Sequence, residues 1–166
     1  LFQLRLRREA RAESISESPR RSPTWPLSAA QERIIRLDES DPSRGLQTRA
    51  GLRMCGVLSR VALRAALDRV FARHEVLRTR FEFEDGQIVR RVEPPDSGFP
   101  LEEHAQAPSA SSEAIRDNEG PAPFDLARGP LVRGHLMQTG DREHLLVIFL
   151  HASVADVWSV GVMIPE

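Results

Sequence analysis

The stretch that most constrains this chain runs from Leu145 to Ser159, LLVIFLHASVADVWS. Its first six residues, Leu145-Leu146-Val147-Ile148-Phe149-Leu150, are apolar without a break and rich in β-branched and aromatic side chains. A strand with one face in water alternates polar and apolar positions, so an unbroken run reads as a central strand buried on both faces. It turns polar at His151 and brings a carboxylate at Asp156. A buried strand that delivers a His and an Asp at its end is a common way to build an acyl-transfer site.

Such a strand needs a chain large enough to cover it. With 166 residues, 40% of them hydrophobic and 28% charged, this chain supports one globular domain with a substantial core. The net charge of −1 supplies no field for nucleic acid, and no apolar run is long enough to cross a bilayer. The single cysteine, Cys55, has no internal partner and reads as a small apolar filler in a reducing, cytoplasmic compartment. The N-terminus is Arg-rich, but no long apolar segment with a cleavage site follows it.

Residues 1–25 read as a lead-in to the domain. Over 1–13, Leu1, Leu4, Arg5, Arg7, Arg8 and Arg11 outline a basic amphipathic helix, taken as a solvated linker helix ahead of a membrane or RNA contact. SISESPRRSPTWP (14–26) is Ser- and Pro-rich, a flexible linker. The folded part, 26–166, opens with a helix over Leu27–Leu37, with Ser28 as N-cap, Gln31 completing a capping box, and apolar positions 27, 30, 34 and 37. After a turn-rich loop, Leu46, Thr48, Ala50, Leu52 and Met54 alternate with more polar positions in a half-buried strand. Ser59 caps a helix over roughly 60–75, with Leu63, Leu67, Val70, Phe71 and His74 on its buried stripe. Phe81 and Phe83 alternate with glutamates, Asp85-Gly86 predicts a hairpin, and Ile88–Val92 returns. Residues 94–109 read as irregular and 110–119 as a short exposed helix. A strand over Leu131–Gln138 turns at Thr139-Gly140-Asp141 into the central strand, and a last helix runs from Trp158 to Ile164.

Several of these stretches resemble motifs of the condensation domains of nonribosomal peptide synthetases. Arg73-His74-Glu75-Val76-Leu77-Arg78-Thr79-Arg80-Phe81 matches the family's RHExLRTxF at every specified position. Ser28 to Arg33 resembles SxAQxR, with Ile34 and Ile35 where the family usually has aromatics. Pro123 to Arg133 resembles PFDLxxGPLxR. His151 to Ser159 resembles the active-site motif HHxxxDG followed by Trp-Ser: His151, Asp156, Trp158 and Ser159 fall in register. Ala152 stands at the family's second His, the one tied to catalysis, and Val157 at its Gly.

The resemblance covers about residues 26–164, the N-terminal of two halves that each have a chloramphenicol-acetyltransferase-like fold. It implies an α/β (α+β) sandwich: a mixed, largely antiparallel sheet with helices on one side. It implies a parent reaction in which the amine of one carrier-bound aminoacyl group attacks the thioester of another. The phosphopantetheine of partner carrier domains is then the only cofactor, with none bound directly. The lead-in looks like the segment that joins a carrier domain to the next condensation domain. By the same resemblance Arg78 pairs with Asp156, an organising ion pair.

The residues themselves argue for a degenerate site. Ala152 cannot move a proton, and His151 lies one residue off the family's reactive spacing. A one-residue step on a strand sends the side chain to the other face, so His151 is expected to point inward as a hydrogen-bonded structural His. Ser153 lacks a G-x-S-x-G elbow, and His104, His135 and His144 show no metal-ligand spacing with one another or with Cys55. The expected role is structural or carrier-docking, beside adjacent synthetase domains. The alternatives are an acyltransferase that becomes active with the second half, and a self-associating module whose uncovered apolar face pairs with a copy of itself.

Overall fold

The computed structural model describes residues 27–41, 45–104 and 122–164. The basic helix and linker expected before residue 27, and the helix expected over 110–119, lie outside the described residues. In chain order the elements are α1 (Ala29–Ser40), β1 (Gln47–Cys55), α2 (Arg60–Arg73), a 3₁₀ turn (Glu75–Arg78), β2 (Thr79–Glu84), β3 (Gln87–Val92), β4 (Leu101–His104), β5 (Val132–Gly140), β6 (Glu143–His151) and α3 (Val157–Met163). Four strands form one sheet in the order β1-β6-β5-β4, antiparallel except for the parallel β4–β5 pair. The β2–β3 hairpin is a separate ribbon turned by Asp85 and Gly86, both at positive φ as a tight hairpin requires.

β6 is central, flanked by β1 and β5, and Leu146 through His151 are all buried. Its alternation divides the core in two. Val147 and Phe149 pack on one face with Ile35 of α1, Phe81 of the hairpin, Phe124, Leu126, Leu131 and Met137. Leu146, Ile148 and Leu150 pack on the other with Phe71 and Leu77, and with the half-buried stripe Leu63, Leu67 and Val70 of α2 and Val160 and Met163 of α3. The mixed sheet is thus covered by α2 and α3 on one side, while α1 and the hairpin cover the other.

Four local features differ from the sequence reading. The buried face of α1 is turned by one position: Ala30 is exposed, while Gln31, Ile34, Ile35 and Asp38 face inward. Two polar residues sit on that face because they hold the β6 loop. The stretch 94–109 contains β4, a four-residue edge strand too short and too acidic to show alternation. α2 stops at Arg73, and the motif RHEVLRTRF runs from its last residue through the 3₁₀ turn into β2. Cys55 is exposed at the end of β1 and fills no apolar space.

Candidate functional site

The site is built where β6 ends. His151 is the last residue of the strand, and 152–154 form a turn leading to the N-cap of α3. His151 continues the phase of Val147 and Phe149, so its ring points into the core layer beneath α1 and is only 2% exposed. It meets Phe124 edge-on, with ring centroids 6.1 Å apart. Its Nδ1 lies 2.7 Å from Ser153 Oγ and accepts from the Ser153 N–H at 3.2 Å. Two donors on Nδ1 leave Nε2 with the hydrogen, and Nε2 faces Asp38 Oδ1 at 3.4 Å. Nε2 makes no hydrogen bond, so this contact is a close polar approach. Burial pushes the His151 imidazole below its ordinary pKa, and Asp38 opposes that shift.

Asp38, His151 and Ser153 therefore lie in series with the polarity of a nucleophile triad, but all three are buried. A hydroxyl at 4% exposure cannot reach a substrate, and further chain could only bury it more. The series instead fixes the turn. Gln31 of α1 adds a second tie, donating from Nε2 to the Ser153 carbonyl at 3.2 Å. The Ala152 N–H donates to the Leu46 carbonyl at 2.8 Å, which ties the backbone of the turn to the start of β1. Ala152 is half-buried and presents only a methyl group.

Asp156 caps α3. Its Oδ1 accepts from the Ser159 N–H at 2.8 Å and from the Ser159 hydroxyl at 2.7 Å, and its own N–H donates to Ser159 Oγ at 3.2 Å. The Ser159 hydroxyl, more than any other partner, holds the Asp156 carboxyl below the ordinary carboxylate range. The expected Arg78–Asp156 pair is not formed. Arg78 donates to the carbonyls of Phe71 (Nε, 3.1 Å), Ala72 (Nη2, 3.0 Å) and Glu93 (Nη1). The first two are orphan carbonyls of the last turn of α2, so the guanidinium is a C-cap that also ties α2 to the strand end of the hairpin. Arg78 organises the fold, but through the backbone and on the α2 side.

Asp38 and Gln31 were missed as parts of the site because α1 reads as an ordinary amphipathic helix. The available signal was a polar pair seven residues apart on one helical face. Away from this loop, Glu102, His104 and His135 converge although sequence spacing gave them no relation. Among the described residues no helix is long and apolar enough to cross a membrane.

A model of the condensation domain matches residues 22–166. The chain belongs to the condensation-domain family. Malpibaldin synthetase of Mortierella alpina is 35% identical over 99% of this chain. Phosphinothricin tripeptide synthetase PhsC of Streptomyces viridochromogenes is 35% identical over 98% of it. Among solved structures, the complex of the X-domain and OxyB from teicoplanin biosynthesis matches with a TM-score of 0.74 and 34% identity over 87% of this chain. The chain spans only 3% and 16% of the two synthetases and 32% of the matched structure's chain. What these comparisons share with the geometry is an α+β scaffold of the condensation type.

Proposed function

We propose that this chain forms the N-terminal half of a nonribosomal peptide synthetase condensation domain that serves in docking and scaffolding rather than in amide formation. Residues 1–25 would lead in from a preceding carrier domain of the cytoplasmic synthetase. The observation that carries this reading is Ala152: the turn around the family's catalytic position is held by Asp38, Gln31 and Leu46, yet the side chain there can neither take nor give a proton. General acid–base catalysis is typically worth roughly 10²–10⁴-fold, and that contribution is missing at position 152. His151 does not replace it, because its Nδ1 is committed to Ser153 and its ring is buried.

The test uses the full-length gene product and its own carrier partners, loaded with aminoacyl groups on their phosphopantetheine arms. Amide formation is followed by mass spectrometry for the natural protein and for Ala152→His. We expect no condensation from the natural protein at this domain and a gain of roughly 10²–10⁴-fold on restoring the His. Natural turnover as fast as that of Ala152→His would refute the docking assignment and restore the acyltransferase alternative.

Docking of a partner protein is supported by the start of α3. Val157 is 79% exposed and Trp158 83%, beside the capped Asp156 and next to the Ala152 turn. Aromatic side chains of this kind anchor protein interfaces. The matched X-domain forms a complex with OxyB, which makes partner recruitment a precedent on this scaffold.

A further inference from the structure

At the far edge of the sheet from β1, the parallel β4–β5 ladder places Glu102 opposite His135 and His104 opposite Met137. Residues paired across a ladder point to the same side, and positions two apart on a strand share a face. Glu102, His104 and His135 therefore converge on the α1 side of the sheet. The alternate residue of β4, Glu103, points the other way, where it meets Arg60 of α2 at 2.7 Å.

Two of the donor-atom separations match those of a tetrahedral ligand set. His104 Nε2 lies 3.2 Å from His135 Nδ1, and His135 Nδ1 lies 3.5 Å from Glu102 Oε2. All three ligand atoms lie within 4.8 Å of one another. Bonds of about 2.0–2.1 Å to a tetrahedral zinc ion put neighbouring ligand atoms about 3.3–3.4 Å apart, between these two separations. The His rings have centroids 5.5 Å apart, so much longer than the nitrogen contact that they meet edge to edge, nitrogen to nitrogen. In the metal-free form one imidazole N–H joins them.

His135 is 8% exposed, and its Nε2 is buried with no hydrogen-bond partner, its ring meeting Phe149 edge-on at 5.8 Å. With Nε2 keeping its hydrogen in that apolar place, the Nδ1 lone pair is directed at the cluster. Glu102 is 66% exposed and His104 half-buried, so both can adjust around the fixed His135.

We propose that Glu102, His104 and His135 form a zinc(II) site that clamps the short edge strand β4 to β5. The set of two His and one Glu is a known zinc ligand set, and it leaves a fourth position for water. Ligation moves the His104 ring hydrogen from Nε2 to Nδ1, through solvent at the open edge, which frees the Nε2 lone pair for the metal. The site lies apart from the Ala152 turn and does not depend on the docking assignment.

The test is metal binding by the full-length protein without an affinity tag. Zinc(II) affinity is measured by competition with a chromophoric chelator, and cobalt(II) supplies a visible spectrum that reports geometry. We expect the natural protein to bind one equivalent that is absent from His104→Ala, with tetrahedral cobalt(II) bands that vanish in that variant. Loss of even an outer-shell partner costs 10–100-fold, so His104→Ala should weaken zinc at this site by at least about 100-fold, and Glu102→Gln by at least about 10-fold. Both replaced side chains lie at the open edge, and unchanged circular dichroism confirms that the variants fold. No binding by the natural protein, or equal stoichiometry and an equal cobalt(II) spectrum in His104→Ala, would overturn the site.

Discussion

Two histidines on one face of the same sheet have nearly the same surroundings and different capacities. His151 on β6 and His135 on β5 are 2% and 8% exposed, each meets a Phe ring edge-on, and each turns Nδ1 towards a polar partner. They differ in what their partners can do. His151 is enclosed by Ser153 two residues on and by Asp38 from α1, whose side chain is 8% exposed, so its partners are buried with it. His135 faces an edge strand whose Glu102 is 66% exposed. Burial alone does not separate the two histidines; the exposure of their partners does.

Four measurements break or sharpen that contrast. The largest effect is expected from His151→Ala, which strands the buried Asp38 carboxylate and the Ser153 hydroxyl. Leaving a buried polar group without its partner costs about 1–3 kcal/mol, so two such groups lose more than His135→Ala, which leaves no buried carboxylate unpaired. Urea unfolding compares the two, and equal losses would erase the distinction.

Next is Gly134→Ala, beside His135. A Cβ there would lie 2.6 Å from Phe99 Cε1 and 3.1 Å from Leu101 Cδ1, and Phe99 is itself buried. Overpacking of that kind costs about 1–3 kcal/mol. Thermal unfolding should show it, and a neutral result would mean that the β4 edge shifts freely. Gln31→Ala removes the tie from α1 to the Ser153 carbonyl together with half of the α1 capping box. About 1 kcal/mol is expected, with faster amide exchange across the Ala152 turn as the specific sign of its role.

The smallest effect near neutrality is that of pH. Burial is the leading cause that depresses both histidines, opposed by Asp38 at His151 and by Glu102 at His135. A depressed folded pKa means that the unfolded chain binds protons first. The stability contribution is thus complete above the unfolded value of about 6.5 and is lost as pH falls through the lower folded values. Unfolding free energy should be flat above that pH and fall below it, with a shallower fall in His135→Gln. A fall unchanged in that variant would assign the whole dependence to His151.

Much of the fold was legible in the sequence because its signals are local. The unbroken run at Leu145–Leu150 marked the central strand, Asp85-Gly86 the hairpin, and Ser28 with Gln31 the start of α1. The edge strand β4 was not legible, since four residues bounded by Pro100 carry no periodicity and owe their pairing to β5. At the site, the motif letters picked out His151, Ala152 and Asp156, but partners separated by long stretches of chain could not be read. Arg78 went to the carbonyls of α2 instead of to Asp156, and Asp38 reached His151 from α1.

By itself the sequence determined which residues are apolar, where helices and turns begin, and that position 152 carries only a methyl group. Chain chemistry of that kind is set residue by residue. Only the tertiary structure decided which polar groups meet. Strand register put Glu102 and His104 beside His135, and the turn of α1 by one position put Asp38 under His151. Those choices depend on burying both faces of β6 at once, a condition no local stretch of sequence can express.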